Sequence, residues 1–305
     1  MNAPVTEPES RRVAGGRLAA VGLLVNIVFA SGKLVAGIVG HSAALIADAV
    51  ESMTDIVGSI VIWGGLHYGA RPADPGHPFG HGRAESLAAL AVGGLVTAAG
   101  ASTAVHAVRE LLSPRPVPEP FTLVVLVVVV VVKETMYRFM RRAGRDSAST
   151  ALQTEAWHHR SDAITSAAAF IGISISLIGG PAWSSADAWA ALFASAVIVI
   201  NGLLLLRVPL GELMDRQPAD LPERIEAVAM DVEGVTSVEK IFVRRIGPRY
   251  LAEMHLRVHG DLPVREGHAI AGRARAAVRA ALPPVADILI HLEPEPVPAR
   301  TDPGR

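Results

Sequence analysis

The sequence predicts a membrane domain of six α-helices followed by a small α+β domain. Half of the 305 residues are hydrophobic and 19% are charged, and the mean hydropathy is +0.38. These values are too apolar for an ordinary soluble domain. Six apolar runs are each long enough to cross about 30 Å of hydrocarbon, which takes roughly 20 helical residues. Beyond residue 207 the pattern changes to short amphipathic segments.

The six runs have basic residues on one side only. They occupy residues 17–39, 43–68, 85–112, 120–140, 155–179 and 186–207. The side that holds both ends of the domain carries Arg11, Arg12, Arg17, Arg71, Arg83, Arg138, Arg141, Arg142, Arg145 and Arg207, and the opposite loops carry only Arg115. By the positive-inside rule, both termini are predicted to be cytoplasmic. The first run lacks a small-residue cleavage site, so we interpret it as a span.

The segment after the last run predicts a compact domain of order αββαβ. Two amphipathic helical patterns alternate with strand patterns, and the first two strands flank a turn at Gly247-Pro248. Such an order suits a small α+β sandwich. The predicted organisation is a disordered N-terminus at 1–15, a membrane domain at 16–212, a cytoplasmic domain at 213–294 and a disordered tail at 295–305.

Composition narrows the range of ligands. The net charge is −1. The chain therefore lacks the overall positive charge that would indicate nucleic acid as a partner. The chain has no cysteine. Any metal site must therefore use His, Asp and Glu.

Acidic residues interrupt the second apolar run, and a His and an Asp open the fifth. Asp48, Glu51 and Asp55 follow one helix face at i, i+3 and i+7, and His158 and Asp162 stand four apart. A charge inside a bilayer is costly and usually faces a cavity and a partner. Two such helices packed face to face would offer two carboxylates from one and a His plus a carboxylate from the other, a set acceptable to Zn²⁺. The alternative is that these are polar groups at helix ends or in packing contacts.

These motifs resemble those of a known family, the cation diffusion facilitators, from about residue 16 to 294. The motifs that carry the resemblance are "ADAVESMTDIVGS", "RPADPGHPFGHGRAES", "EAWHHRSDAITS" and "LMDR". The resemblance implies a homodimeric six-helix transporter in the lipid bilayer, with a metallochaperone-like cytoplasmic domain, that exports divalent metal in exchange for protons.

The resemblance also implies a transport site. The matching positions are Glu51, Asp55, His158 and Asp162. The family mostly has Asp or His where this chain has Glu51, so the longer carboxylate bears on metal preference. Asp48 matches an element that is expected to support the ligands from behind rather than to bind the metal.

A second cluster lies in the loop after the second run. Asp74, His77 and His81 stand three and four apart among Pro and Gly residues, so one irregular loop could wrap a cation with an O,N,N set. The alternative is a polar turn whose histidines happen to be neighbours. The resemblance implies a second metal site here. It also implies that Arg83 pairs with Asp215 to interlock the two protomers; the alternative is two unrelated juxtamembrane charges.

The soluble domain carries a third candidate cluster. In the two strands that contain them, His255 shares a face with His259, and His291 shares one with Glu293. The resemblance implies a cytoplasmic metal site of His255, His268, His291 and Glu293 near the dimer interface. Surface histidines without a ligand are the alternative.

The expected activity is metal efflux by proton antiport with alternating access, and His158 is the expected proton-coupling group. By ligand type Zn²⁺ is the first choice of substrate and possible regulatory ion, Fe²⁺ the second, with Co²⁺ or Mn²⁺ after them. No organic cofactor is expected, and the chain is expected to be a transporter rather than an enzyme. Composition suggests a bacterial inner membrane.

Two other classes remain open at this stage. An intramembrane metalloenzyme would need a motif such as H-E-x-x-H, which the sequence lacks. A membrane metal sensor without transport would signal through the soluble domain.

Overall fold

The computed structural model describes residues 26–112, 117–146 and 150–295, which include both domains. Within the helices, the side chains of residue 140, residues 143–159 and residues 161 and 181 are outside the description. The segments predicted to be disordered, 1–15 and 295–305, lie outside the described residues except for Glu295.

Six long helices form in the apolar part of the described chain. They are α1 (described over 26–39), α2 (Ala43–Gly69), α3 (Arg83–Leu112), α4 (Phe121–Asp146), α5 (Thr150–Gly179) and α6 (Ser185–Leu213). A 3₁₀ turn, Gly180–Trp183, connects α5 to α6. Each helix coincides with one of the six apolar runs, so the predicted helical order is confirmed.

Three segments of the described chain are long and apolar enough to span a membrane by length and composition alone. They are Arg83–Leu112, Asp162–Gly179 and Ser185–Leu213. The described part of α1, Asn26–Val39, is apolar but shorter. Helices α2 and α4 carry charged residues inside their apolar runs, three acids in α2 and the pair Lys133-Glu134 in α4.

The first compact unit comprises Met1–Ile62 and Ala91–Leu206. Its core is built around fully buried Leu45, Leu126 and Ile173, with small residues between them. Small residues let helix backbones approach closely in a membrane. Gly202 shows this directly, since a Cβ there would lie 2.7 Å from the backbone nitrogen of Thr97 on α3.

The start of α2 is fixed by a carboxylate from another helix. Asp187, in the first turn of α6, accepts hydrogen bonds from the backbone N–H of Ala43 (2.6 Å) and from Ser42 Oγ (2.8 Å). A carboxylate at a helix N-terminus satisfies unpaired N–H groups and complements the helix dipole. The contact therefore holds in place the helix that carries Asp48, Glu51 and Asp55.

The second compact unit comprises Trp63–Leu90 and Arg207–Arg305. It holds the loop between α2 and α3 together with the C-terminal α+β domain. The C-terminal elements are α7 (Leu221–Met230), β1 (Ser237–Ile246), β2 (Arg249–Val258), α8 (Val264–Ala281) and β3 (Val285–Pro294). This order confirms the predicted αββαβ domain. The predicted limits of the two domains are not tested by it and stay predictions.

The three strands form one sheet in the order β1-β2-β3. The pair β1–β2 is an antiparallel hairpin, and β2–β3 is parallel with α8 as the crossover. Along β2, buried Met254 and Leu256 alternate with more exposed His255 and Arg257. The buried face joins a core with residues of α7 and α8, such as Ile225. The opposite face is left for polar residues.

Candidate metal-binding sites

Helices α2 and α5 meet through their acidic segments in the first unit. Ser166 Oγ donates a hydrogen bond to Asp48 Oδ1 at 2.6 Å, and Thr165 Oγ1 donates one to Glu51 Oε2 at 3.2 Å. The same hydroxyl lies 2.9 Å from the backbone oxygen of Asp162, so its single proton is shared between the two acceptors. The face of α5 that begins at Asp162 therefore lies against the face of α2 that carries Asp48 and Glu51.

The structure gives less information on Asp55 and His158, the other two residues of the expected transport site. Asp55 lies one helical turn beyond Glu51 and is partly buried. His158 lies on α5, but its side chain is outside the described part of the structure, as is that of His159. Among the described side chains, Glu51, Asp55 and Asp162 do not converge into a compact three-ligand group.

Two lysines that the sequence analysis did not use contact the acidic residues. Lys33 Nζ on α1 forms an ion pair with Asp48 Oδ2 at 2.8 Å and donates hydrogen bonds to the Asp48 carbonyl (3.0 Å) and to Ser52 Oγ (2.5 Å). Lys133 Nζ on α4 lies 2.6 Å from Asp162 Oδ2. A buried charge needs a partner of opposite sign, and these contacts supply it from neighbouring helices.

Lys133 is largely buried although it follows directly on a block of valines in the sequence. In the structure the Lys133 side chain is only 13% exposed and points at Asp162, while the next residue, Glu134, pairs with exposed Arg138. A lysine inside an apolar run can be recognised in the sequence as an unusual residue. The sequence does not tell which acidic side chain this lysine contacts.

The loop cluster comes together as expected from its spacing. Single ligand atoms of Asp74, His77 and His81 all lie within 4.8 Å of one another. His77 Nδ1 lies 3.1 Å from Asp74 Oδ1, and His81 Nε2 lies 3.4 Å from Asp74 Oδ2. His77 and Asp74 also exchange two backbone hydrogen bonds, which closes the loop into a tight turn.

The hydrogen bond of the other His81 ring nitrogen orients the ring. His81 Nδ1 lies 3.2 Å from the carbonyl oxygen of Pro72. Because a carbonyl only accepts, Nδ1 carries the hydrogen, and in neutral imidazole Nε2 then presents its lone pair toward Asp74. Metal-ligating histidines are oriented by contacts of this kind.

Asp74 is kept in the charged form that a metal needs. Slight desolvation works to raise the pKa of Asp74, but hydrogen bonds from the backbone N–H and the ring of His77 and from the Gly76 N–H outweigh it and hold that pKa below its usual value. An ionised carboxylate beside an imidazole lone pair attracts a cation.

The loop also packs on the β1–β2 hairpin within the second unit. A Cβ at Gly82 would lie 3.0 Å from the backbone of Ile246, and Gly247, at φ 59°, approaches Gly82 closely. Arg244 lies over the ring of Phe79, with 5.6 Å between its guanidinium carbon and the ring centroid. The loop that carries Asp74, His77 and His81 is therefore in direct contact with the C-terminal sheet.

Arg83 and Asp215 form the expected ion pair. Arg83 Nη2 lies 2.7 Å from Asp215 Oδ1, and Asp215 adopts a left-handed conformation at φ 54° just after α6. The pair is made within one chain. An interlock between two protomers stays a prediction.

The cytoplasmic cluster lies on the open face of the sheet. His255 and His291 are register partners on β2 and β3. His255 Nδ1 lies 2.6 Å from Glu293 Oε1, and His291 Nε2 lies 3.9 Å from the same oxygen. These three side chains form a group within 4.8 Å. The fourth expected ligand, His268, is exposed on α8 and does not belong to this group.

Two family models together match almost all of the chain. The cation efflux transmembrane domain matches residues 19–214, and the cytoplasmic domain of cation efflux proteins matches residues 218–295. The chain belongs to the cation efflux family. It is therefore a membrane protein of a divalent-cation efflux family with a dimerisation domain, as the resemblance implied.

Relatives within the cation efflux family match this chain over most of its length. The manganese efflux system protein MneP of Bacillus subtilis is 30% identical over 91% of this chain and 95% of its own length. The magnetosome protein MamB of Paramagnetospirillum magneticum is 33% identical over 88% and 90%. The cation-efflux pump FieF of Escherichia fergusonii is 29% identical over 83% and 84%.

The C-terminal part of the chain resembles a solved structure of comparable size. The structure MamM-CTD 215-293 is 26% identical over 24% of this chain and 92% of its own, with a TM-score of 0.24. A TM-score this low does not by itself establish a common fold. The family assignment rests on the two family models and the relatives.

Proposed function

We propose that this cation efflux protein exports Zn²⁺ from the cytoplasm in exchange for protons, at a site formed by Glu51, Asp55, His158 and Asp162. The contact between α2 and α5 carries the proposal. Thr165 Oγ1 on α5 lies within hydrogen-bond distance of the Glu51 carboxylate on α2 and of the backbone oxygen of Asp162, so Glu51 and Asp162 lie beside the same hydroxyl. Carboxylates and one imidazole are ligands that Zn²⁺ accepts in tetrahedral geometry.

Proton coupling follows from competition at the same ligands. Carboxylate and imidazole must be deprotonated to bind a metal, so binding of metal releases protons and protonation expels metal. In the inward-facing state the site takes up metal from the cytoplasm. On the outside, protonation of His158 promotes release, because imidazole is the ligand type that titrates closest to neutral pH.

We further propose that the protein is a homodimer in a bacterial inner membrane, with both termini in the cytoplasm. The arginines that flank the apolar runs support this orientation. Metal at Asp74, His77 and His81, or at His255, His291 and Glu293, would favour one arrangement of the cytoplasmic parts and thereby regulate transport. His268 would have to approach the cluster of His255, His291 and Glu293 in order to act as its fourth ligand.

Manganese efflux is the second candidate. The relative MneP is named as a manganese efflux system and matches nearly the whole of both chains. A carboxylate-rich site also suits Mn²⁺, whereas His158 favours Zn²⁺ or Fe²⁺. Position 51 bears on this choice, because Glu51 extends its carboxylate farther than an aspartate would.

Metal flux into proteoliposomes with an imposed pH gradient tests the function. We expect wild-type protein to transport Zn²⁺ at the expense of the gradient, and transport to fall at least about tenfold when Asp162→Asn removes one ligand charge. Asp261→Asn, at a 97% exposed carboxylate outside the membrane domain, is the control. Flux of Mn²⁺ and Fe²⁺, measured under the same conditions, shows which of the candidate metals is transported fastest.

Three results would contradict the proposal in different ways. Equal Zn²⁺ flux in wild type and Asp162→Asn would refute the site. Metal entry without any counter-movement of protons would refute the antiport. No flux of any of the three metals by wild type would favour a sensor instead.

A further inference from the structure

The ion pair between Lys133 and Asp162 occupies the place where the proposed metal would bind. Lys133 Nζ lies 2.6 Å from Asp162 Oδ2, and the two side chains are 13% and 7% exposed. The lysine comes from α4, whereas the expected ligands belong to α2 and α5. The ammonium group thus reaches the site from a third helix.

A metal ion and this ammonium group compete for the same oxygen. A divalent cation binds a carboxylate oxygen at about 2.0–2.2 Å, so an ammonium nitrogen at hydrogen-bond distance from that oxygen would meet the metal at close range. The two positive charges repel each other strongly in a buried site. Occupancy by metal therefore requires Lys133 to leave Asp162.

We propose that Lys133 is a tethered counter-cation that holds Asp162 when the transport site is empty and is displaced when metal binds. This proposal rests on the proposed transport site, and it adds a residue that sets the affinity of that site. Lys133 does not ligate the metal. Its ammonium group competes with the metal ion for the carboxylate of Asp162.

The formal charges around the site fit this exchange. The carboxylates are those of Asp48, Glu51, Asp55 and Asp162, and the ammonium groups are those of Lys33 and Lys133. Counted as ionised, four negative and two positive charges leave −2, and exchange of the Lys133 ammonium for a divalent cation leaves −1. Without the lysines the empty site would carry −4, a charge that is costly to keep inside a membrane domain.

The two lysines differ in how firmly they are held. Lys33 Nζ bonds to the Asp48 carboxylate, the Asp48 carbonyl and Ser52, so it is fixed in place. Among the described contacts, Lys133 Nζ bonds to Asp162 alone, and Asp55 and Asp48 attract it at longer range. A four-carbon stem with one bond at its end can swing away from one carboxylate. Lys133 is therefore the one that can exchange.

Metal affinity in the purified full-length protein tests the exchange. Zn²⁺ binding is measured by competition with a chelator, in a common background with His77→Ala and His291→Ala that removes the other two clusters. We expect Lys133→Met to bind Zn²⁺ about tenfold more tightly, because the competitor is gone. Lys133→Arg, which keeps the charge, should stay within about twofold of the parent.

Three further variants make the measurement specific. Arg138→Met removes a cation from the same helix that is 76% exposed and pairs with Glu134, and it should leave affinity unchanged. In an Asp162→Asn protein, the gain from Lys133→Met should vanish, because its target is absent. Lys133→Gln is a second neutral variant for the case in which Lys133→Met fails to fold.

The outcomes separate the two proposals. Damage to the structure would weaken binding, so a gain of affinity that depends on Asp162 supports the exchange. Unchanged or weaker binding in the neutral variants overturns it. If Asp162→Asn by itself leaves Zn²⁺ binding unaltered while Lys133 is present, the proposed transport site fails instead.

Discussion

Ser166 on α5 donates a 2.6 Å hydrogen bond to the carboxylate of Asp48 on α2, and both side chains are buried. Lys33 holds the other oxygen of the same carboxylate. Asp48 is therefore a bridge among three helices rather than a free ligand. Its expected role as a support for the metal ligands stays a prediction.

Removal of the serine hydroxyl should weaken this bridge. We expect Ser166→Ala to lower the free energy of unfolding by about 1–3 kcal/mol, because a buried carboxylate oxygen loses its donor. Thermal unfolding in detergent measures the change. Ser174→Ala, on the same helix, removes only a hydroxyl bonded to its own helix backbone at Phe170. Equal losses in the two variants would show that the bridge has no special role.

Shortening Glu51 should change which metal is carried. In Glu51→Asp the carboxylate retreats by one methylene from Thr165, so the ligand cage changes in size. We expect the ratio of Zn²⁺ flux to Mn²⁺ flux to change by about tenfold, the scale of discrimination that one methylene gives. Glu134→Asp, at an acid paired with Arg138, is the matched control. An unchanged ratio would remove Glu51 from the selectivity argument.

The two loop histidines should differ in their effect on stability. The His81 side chain is 4% exposed and bonds to Pro72, whereas that of His77 is 55% exposed. We expect both His81→Ala and His77→Ala to remove one bound metal ion per chain. Only His81→Ala should also destabilise the protein, by about 1–3 kcal/mol, as buried substitutions do. Metal content after dialysis and thermal unfolding report the two effects, and unchanged metal content in both variants would refute the loop site.

Metal binding by the loop should weaken as pH falls from 8 to 5. The hydrogen bonds from His77 keep the pKa of Asp74 below its usual value, so this carboxylate stays ionised across that window. Protons then compete with the metal for the ring nitrogens of His77 and His81, because an imidazole must be neutral to bind a metal. We expect Asp74→Asn to lower metal affinity at every pH and to leave the pH dependence unaltered. A flatter profile in Asp74→Asn would contradict this assignment.

A methyl group at Gly82 should separate the loop from the cytoplasmic sheet. In Gly82→Ala the new Cβ would lie 2.8 Å from the Ile246 side chain and 3.0 Å from its backbone, so the contact must open. We expect transport to fall while the metal content of the loop is kept, because no ligand is changed. Gly64→Ala, where a Cβ meets nothing within 4 Å, is the control. Full transport by Gly82→Ala would show that this contact is dispensable.

The helices and the strand order were predictable because their signals are local. Apolar runs of roughly 20 residues specify membrane helices whatever they pack against. Alternation along "RYLAEMHLRV" specifies a strand with one buried face, and the structure buries Met254 and Leu256 on that face. The loop cluster was equally accessible, since Asp74, His77 and His81 lie within eight residues of one another.

The sequence by itself determined the two-domain architecture, because periodicity is a property of single segments. Its motifs also carried the resemblance to the family, which in turn implied the candidate ligands. Only the tertiary structure decided which residues are partners. It paired Lys33 with Asp48 and Lys133 with Asp162, and it left His268 outside the cytoplasmic cluster. The reason is physical: buried charges are neutralised across helices, and helix packing, which no local pattern encodes, selects the counter-charge.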